Sequence, residues 1–239
     1  MIDSRLELTV VSHASLEDAE YGRRLIQLLC SASASLCPVR AANYEPIRNI
    51  VAPGDMGATL QYWEDPFLWK SRDSRGMCSI GMSSQGTTGS VAIILKQKSK
   101  AKGAFVQSLG GLAKALEAEY AVLFVSTPEE FRLAARAGCA LHVDRAATRW
   151  FLNITARGIE RRLPDVYWAT AFGPRFVRQI GLEKLLGAPA YAVQRLDEEL
   201  VLLQLTEQLS DVVLEREKFL AARERVKDHL GREFFFRAT

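Results

Sequence analysis

Tyr191-Ala-Val-Gln-Arg-Leu-Asp-Glu-Glu-Leu-Val-Leu-Leu-Gln-Leu205 decides the fold class. Residues 191–196 and 200–205 read as two strands, with Asp197-Glu198-Glu199 as the turn of a hairpin. A hairpin joins antiparallel strands, so a purely parallel α/β sheet is disfavoured. Upstream, residues 166–170 read as a strand; Gly173-Pro174 then breaks it and starts a short helix carrying Phe176, Val177 and Ile180. Residues 182–186 form a second helical turn, stopped by Gly187 and Pro189. Downstream, Val212, Phe219, Val226 and Leu230 line one helical face, and Gly231 stops it. The expected class is α+β: a mixed, largely antiparallel sheet packed with amphipathic helices. One domain, 1–239, is expected, and any internal division would fall at the Gly/Ser-rich stretch 73–90.

The rest of the chain is read the same way. Leu6-Glu7-Leu8-Thr9-Val10 alternates with the period of a half-buried strand. Ser15 is the expected N-cap of a helix carrying Leu25, Ile26, Leu28 and Leu29, with Asp18 three residues on. Gly76, Gly81, Gly86 and Gly89, with five serines, make 73–90 the expected long loop. Residues 91–95 form a buried-type strand, and Lys96, Lys98, Lys100 and Lys102 mark its solvated end. A helix weakened by Gly110 and Gly111 is expected over 105–118, and a buried strand over 120–125. Thr127, Pro128 and Glu130 form a capping-box start, with Gly138 as the C-cap.

Composition narrows the function classes. Lys plus Arg at 31 against Asp plus Glu at 28 gives +3 over 239 residues, which excludes a polybasic nucleic-acid coater and an acidic tail. No apolar run approaches the roughly 20 residues needed to cross a bilayer. Asp3, Arg5 and Glu7 stand where a signal peptide would be continuously apolar, so cytoplasm is the expected compartment. Cys30, Cys37, Cys78 and Cys139 contain no C-x-x-C pair and are read as reduced thiols; the sequon at Asn153 is then idle.

No catalytic constellation emerges. Gly81 to Gly86 has phosphate-loop spacing, but Thr87 stands where the lysine should be and a β-type run follows. There is no G-x-S-x-G. His142 lies three residues from Cys139, at most half a zinc site, while His13 and His229 end a strand and a helix. No metal or other cofactor is expected. Arg157, Arg161 and Arg162 recur at helical spacing, either as a solvated face or against an acidic partner. Asp197-Glu198-Glu199 is read as a solvated turn, or alternatively as an acidic contact for a basic partner. Glu64 and Asp65, beside Trp63, Phe67 and Trp69, have the charged-aromatic character of an interface, although such aromatics are more often core. Glu64, Asp65 and Trp69 are the expected partner contacts.

The stretch from Trp168 to Ala190, WATAFGPRFVRQIGLEKLLGAPA, and the later Leu203-Gln-Leu-Thr-Glu207 resemble the immunity protein 52 family of polymorphic toxin systems. The shared order is a Gly-Pro stop, a Phe-Val and Gly helix, a Leu-Leu and Ala-Pro turn, then Leu-Gln-Leu-Thr-Glu. It covers about 166–236, and the first strand and helix fit more loosely. The resemblance implies a cytoplasmic, non-enzymatic protein that binds and neutralises a cognate secreted toxin. That toxin would be a restriction-endonuclease-like nuclease effector of the type VI secretion kind, inhibited stoichiometrically without contact to nucleic acid or membrane. Two other readings stand beside it. One is a small-molecule enzyme of mixed α/β build using 73–90 and His142; the other is a structural or adaptor subunit of a secretion system.

Overall fold

The computed structural model describes residues 5–83, 86–136, 140–144, 149–154, 156–160 and 162–236. In chain order the elements are β1 (Arg5–Ser12), α1 (Ala19–Ala32), β2 (Pro38–Ala42), β3 (Asn49–Ile50), α2 (Met56–Leu60) and β4 (Phe67–Ser71). Next come β5 (Ser74–Ser83), β6 (Gly86–Leu95), α3 (Lys102–Ala115), β7 (Ala118–Ser126), α4 (Pro128–Arg136), β8 (Ala140–Asp144) and β9 (Arg149–Leu152). The chain continues through α5 (Ala156–Ile159), β10 (Ala169–Phe172), α6 (Pro174–Ile180), α7 (Leu182–Leu186), β11 (Ala192–Asp197) and β12 (Leu200–Gln204). It ends with α8 (Asp211–Leu214) and α9 (Arg216–Leu230).

Ten strands form one sheet in the order β11-β12-β10-β7-β1-β6-β5-β4-β2-β3, and β8 pairs with β9 separately. Every pairing among these named strands is antiparallel. The fold is α+β, and β11–β12 is the expected hairpin. Leu6, Leu8 and Val10 of central β1 share a face with Ile93 and Val91 of β6 and Leu123 of β7. That face carries α1 and α3. The opposite face presents Tyr120 and Phe124, against which Phe176 of α6 and Phe131 of α4 pack at centroid distances of 6.2 and 5.0 Å. β7 reads as a nearly continuous apolar run and is buried on both faces; β1 alternates as a half-buried strand would, yet its Glu7 and Thr9 are buried too.

In the stretch 73–90, residues 74–83 and 86–90 are strand and not loop, while 84 and 85 lie outside the described residues. Ser74 pairs with Leu95 and Ser83 with Gly86, so β5 and β6 make a tight hairpin next to the centre of the sheet. Its small residues answer to packing: a Cβ on Gly76 would lie 1.9 Å from the Trp69 ring, and one on Gly89 2.2 Å from Leu16. Glycine here marks close approach inside a strand.

Several boundaries move for local reasons. Asp18, and not Ser15, caps α1, its carboxylate accepting from Glu20 N at 2.8 Å. The strand expected at 166–170 begins at Ala169, because Val166 N and Tyr167 N donate to the side chains of Asp165 and Thr170 and have no strand partner. Thr127 Oγ1 does accept from Glu130 N at 3.1 Å, but the Glu130 carboxylate abandons the capping box for Arg223 and Arg216. Cys30 and Cys37 are joined by a disulfide, which corrects their reading as reduced thiols. The end of α1 and the start of β2 bring their Cα atoms to 4.5 Å. Cys78 is free and buried, and burial pushes its thiol up to about 12. Gly138, Cys139 and Arg161 lie outside the described residues, as do the side chains of His142 and Arg157.

Candidate functional site

Of the three expected contacts, Glu64 and Asp65 stand at the surface, and Trp69 does not. Trp69 is 0% exposed, stacked on Phe67 at 5.3 Å, which in turn meets Trp63 at 5.0 Å. Because β4 pairs with β5 so that Trp69 faces Gly76, its ring lies over the sheet beneath α1 and α2. Trp69 is therefore withdrawn as a partner contact and belongs to the core. Glu64 and Asp65 keep their exposure but lose the aromatic anchor that made them a hot spot.

Convergence occurs elsewhere. The β11–β12 turn, the end of β1, the end of α3 and the start of α6 enclose a depression of about 260 Å³. His13, Glu117, Asp197, Glu198 and Glu199 line it, with Lys114 and Pro174. Glu119 lies just beneath, its carboxylate accepting from Arg175 N at 3.0 Å and standing 4.0 Å from His13. His13 is also 3.7 Å from Glu117, whose Oε1 accepts from Tyr21 Oη at 2.9 Å.

Local geometry explains each position. Gly173 N donates to Glu119 O at 2.9 Å, and a Cβ at Gly173 would sit 1.9 Å from Ala118 O. The Gly-Pro pair thus lets α6 begin against β7 and places Pro174 at the rim. Glu117 occupies the position after the C-cap of α3 with φ of 50°, a left-handed conformation in which glycine is the usual residue. Asp197 Oδ1 accepts from Glu198 N at 2.9 Å and closes the hairpin turn.

The electrostatics are acidic and only partly compensated. Lys114 lies 3.0 Å from Asp197, and Arg178 donates to both Glu199 oxygens at 2.9 and 2.8 Å. These exposed pairs are screened and contribute little to stability. Glu198 has no ion-pair partner among the described residues. The turn's backbone bond from Glu198, followed by Lys114, holds the Asp197 carboxyl below its ordinary range. Burial raises the Glu119 carboxyl above its ordinary range, against the opposing pull of Arg175 and His13. Burial, then the bond to Glu117, raises the Tyr21 hydroxyl.

Glu119 yields a pH prediction. A carboxyl raised by folding favours the native state while protonated, so its contribution is present below the unfolded value and is lost as pH rises through the folded one. Glu119→Gln keeps an oxygen for Arg175 N and removes the buried charge. The variant should melt higher than the parent at neutral pH, with the gap closing below about pH 4. Thermal melts across pH 3–8 check this, and a lower melting temperature at pH 7 would contradict it.

Sequence reasoning identified the 197–199 turn as a candidate acidic contact but did not connect it with His13, Glu117 or Glu119. His13 follows β1, Glu117 joins α3 to β7 and Glu119 lies within β7, and only the β1–β7–β10–β12 pairing assembles them. No local signal was available: the helix expected over 105–118 included Glu117, and only the structure ends it at Ala115 and leaves Glu117 beyond the C-cap. Compared with known protein families and with curated protein sequences, the chain matches none.

Proposed function

We propose that this protein is an immunity protein that binds a cognate secreted nuclease toxin and blocks it stoichiometrically. The observation that carries the reading is the acidic depression at the β11–β12 turn. A nuclease must present a cationic cleft to phosphates, and a concave acidic surface is its electrostatic complement. The chain's net charge of +3 is no obstacle, because Glu117, Asp197, Glu198 and Glu199 concentrate negative charge locally. The stretch that resembles immunity protein 52 supplies Pro174, the start of α6 and the support beneath the depression. Occlusion of the toxin's site needs no turnover, only an interface of ordinary size, roughly 1,600 Å² in total.

The enzyme reading is weakened, since residues 74–83 and 86–90 on either side of its phosphate-type spacing are paired strands. No helix among the described residues is long and apolar enough to cross a membrane. A cytoplasmic site of action is part of the proposal, and the Cys30–Cys37 bond is the feature that bears against it. Thiol titration of the protein from freshly lysed cells decides between them: four reactive thiols after denaturation support the cytoplasm, and two oppose it.

Co-expression with a secreted nuclease effector, taken from a neighbouring gene where there is one, tests the function. The wild type should protect cells, and Glu117→Gly combined with Glu198→Lys should not, through an affinity loss of about a hundredfold. Stability should stay within about 1 kcal/mol for Glu117→Gly, because relief of the left-handed backbone offsets the lost Tyr21 bond. Death of cells holding abundant folded wild type would sink the function. Full protection by the double variant would sink the site.

A further inference from the structure

A second cavity, of about 630 Å³, opens between α4, α9 and the chain around Pro164. Leu133, Leu220 and Phe235 give it an apolar side. Arg136, Arg223, Lys227 and Arg232 give it a cationic side, against which only Asp165 and Glu224 of its lining are acidic.

The cations are unequally satisfied. Lys227 is 3.1 Å from Asp165 and 3.4 Å from Glu224, and Arg232 is 2.8 Å from Glu224 with Asp228 also bound. Arg223 is different. Its side chain is 2% exposed, and Nη2 donates to Glu130 Oε2 at 2.5 Å. Nη1 stands 3.6 Å from Asp165, beyond a hydrogen bond, and neither Nη1 nor Nε has a hydrogen-bond acceptor. Arg136 at the rim has no carboxylate partner among the described residues. A buried guanidinium with unspent donors is costly; Nε and Nη1 are closed to solvent, and a small outward turn of Arg223 lets an oxyanion held at Arg136 answer that need.

We propose that this cavity binds an organic anion, a carboxylate or phosphate head on an apolar or aromatic body. The head lies toward Arg223 and Arg136, and the body against Leu133, Leu220 and Phe235. The volume falls in the range of small-molecule sites, roughly 300–1,000 Å³. This site is separate from the acidic depression, so the proposal does not depend on the immunity reading.

Calorimetric titration of the full chain with benzoate, phenyl phosphate, inorganic phosphate and benzyl alcohol tests it. At least one aromatic anion should bind at one per chain, inorganic phosphate more weakly, and benzyl alcohol not at all. Preference between benzoate and phenyl phosphate identifies the head group. Arg136→Gln should weaken binding about tenfold. Arg132→Gln, on the same helix but outside the lining, should leave it unchanged. The inference fails if neither aromatic anion binds, or if Arg136→Gln binds them as tightly as the parent. Inorganic phosphate binding as tightly as phenyl phosphate would overturn the apolar half of the site.

Discussion

Arg223→Met should lower the unfolding free energy by about 3 kcal/mol, the lower end of the cost of breaking a buried ion pair. Its partner Glu130 is 2% exposed and, among the described residues, would keep only Arg216, 3.2 Å away and itself partly solvated. The pair joins residues of α4 and α9 that lie 93 positions apart, and Asp165 on the intervening segment faces the same guanidinium. Losing Arg223 therefore strands a carboxylate and loosens the contact between α4 and α9. The double variant Arg223→Met with Glu130→Met should recover most of the loss, because two apolar side chains of similar volume need no partner. Urea denaturation of both single variants and the double variant gives the coupling directly. A loss under about 1 kcal/mol for Arg223→Met would show that Glu130 is satisfied without it.

Gly173→Ala should cost about 3 kcal/mol or more, at the upper end of overpacking, because the added methyl meets backbone and not a side chain that can turn away. The new Cβ would lie 1.9 Å from Ala118 O and 2.7 Å from Glu119 Cα. Gly173 has φ of −90°, so no left-handed conformation is at stake and the cost is purely spatial. Either α6 or the start of β7 must move, and Glu119 and Pro174 move with them. Gly103→Ala is the contrast: a Cβ there meets nothing within 4 Å, and an exposed helical glycine replaced by alanine gains about 0.5–1 kcal/mol. Chemical denaturation of the two variants should give shifts of opposite sign. A neutral Gly173→Ala would mean that the β7–α6 contact is looser than its geometry.

What was legible in advance follows one rule. Features written within a few residues were readable: the 191–205 hairpin, the Thr127 cap, the stripe of Val212, Phe219, Val226 and Leu230, and the strand around Leu6 to Val10. Each rests on a period of 2 or 3.6, or on one cap, and each is buried or paired as expected, except that Glu215 breaks the last helix, so Val212 lies on α8 and Phe219, Val226 and Leu230 on α9. The 73–90 hairpin was missed because its glycines and serines carry a turn signature by composition. Their actual role, making room for Trp69 and Leu16, belongs to residues elsewhere in the chain. Glu130 was assigned to a capping box by spacing alone, and a guanidinium 93 positions away outcompeted the local bond. Cys30 and Cys37 likewise gave no sign of pairing, since helix end and strand start had first to be set side by side.

By itself the sequence determined the class of the fold, the antiparallel hairpin that defines it, and the inward stripes of α1, α6 and α9. Those follow from short-range sterics and from the burial of apolar periods. Only tertiary structure decided that Trp69 is core and not contact, that Glu117 and Glu119 join the 197–199 turn, and that Arg223 faces a cavity with donors to spare. Strand register and helix docking set these distances, and both are solved globally: a one-residue slip along β1 would send every one of its side chains to the other face.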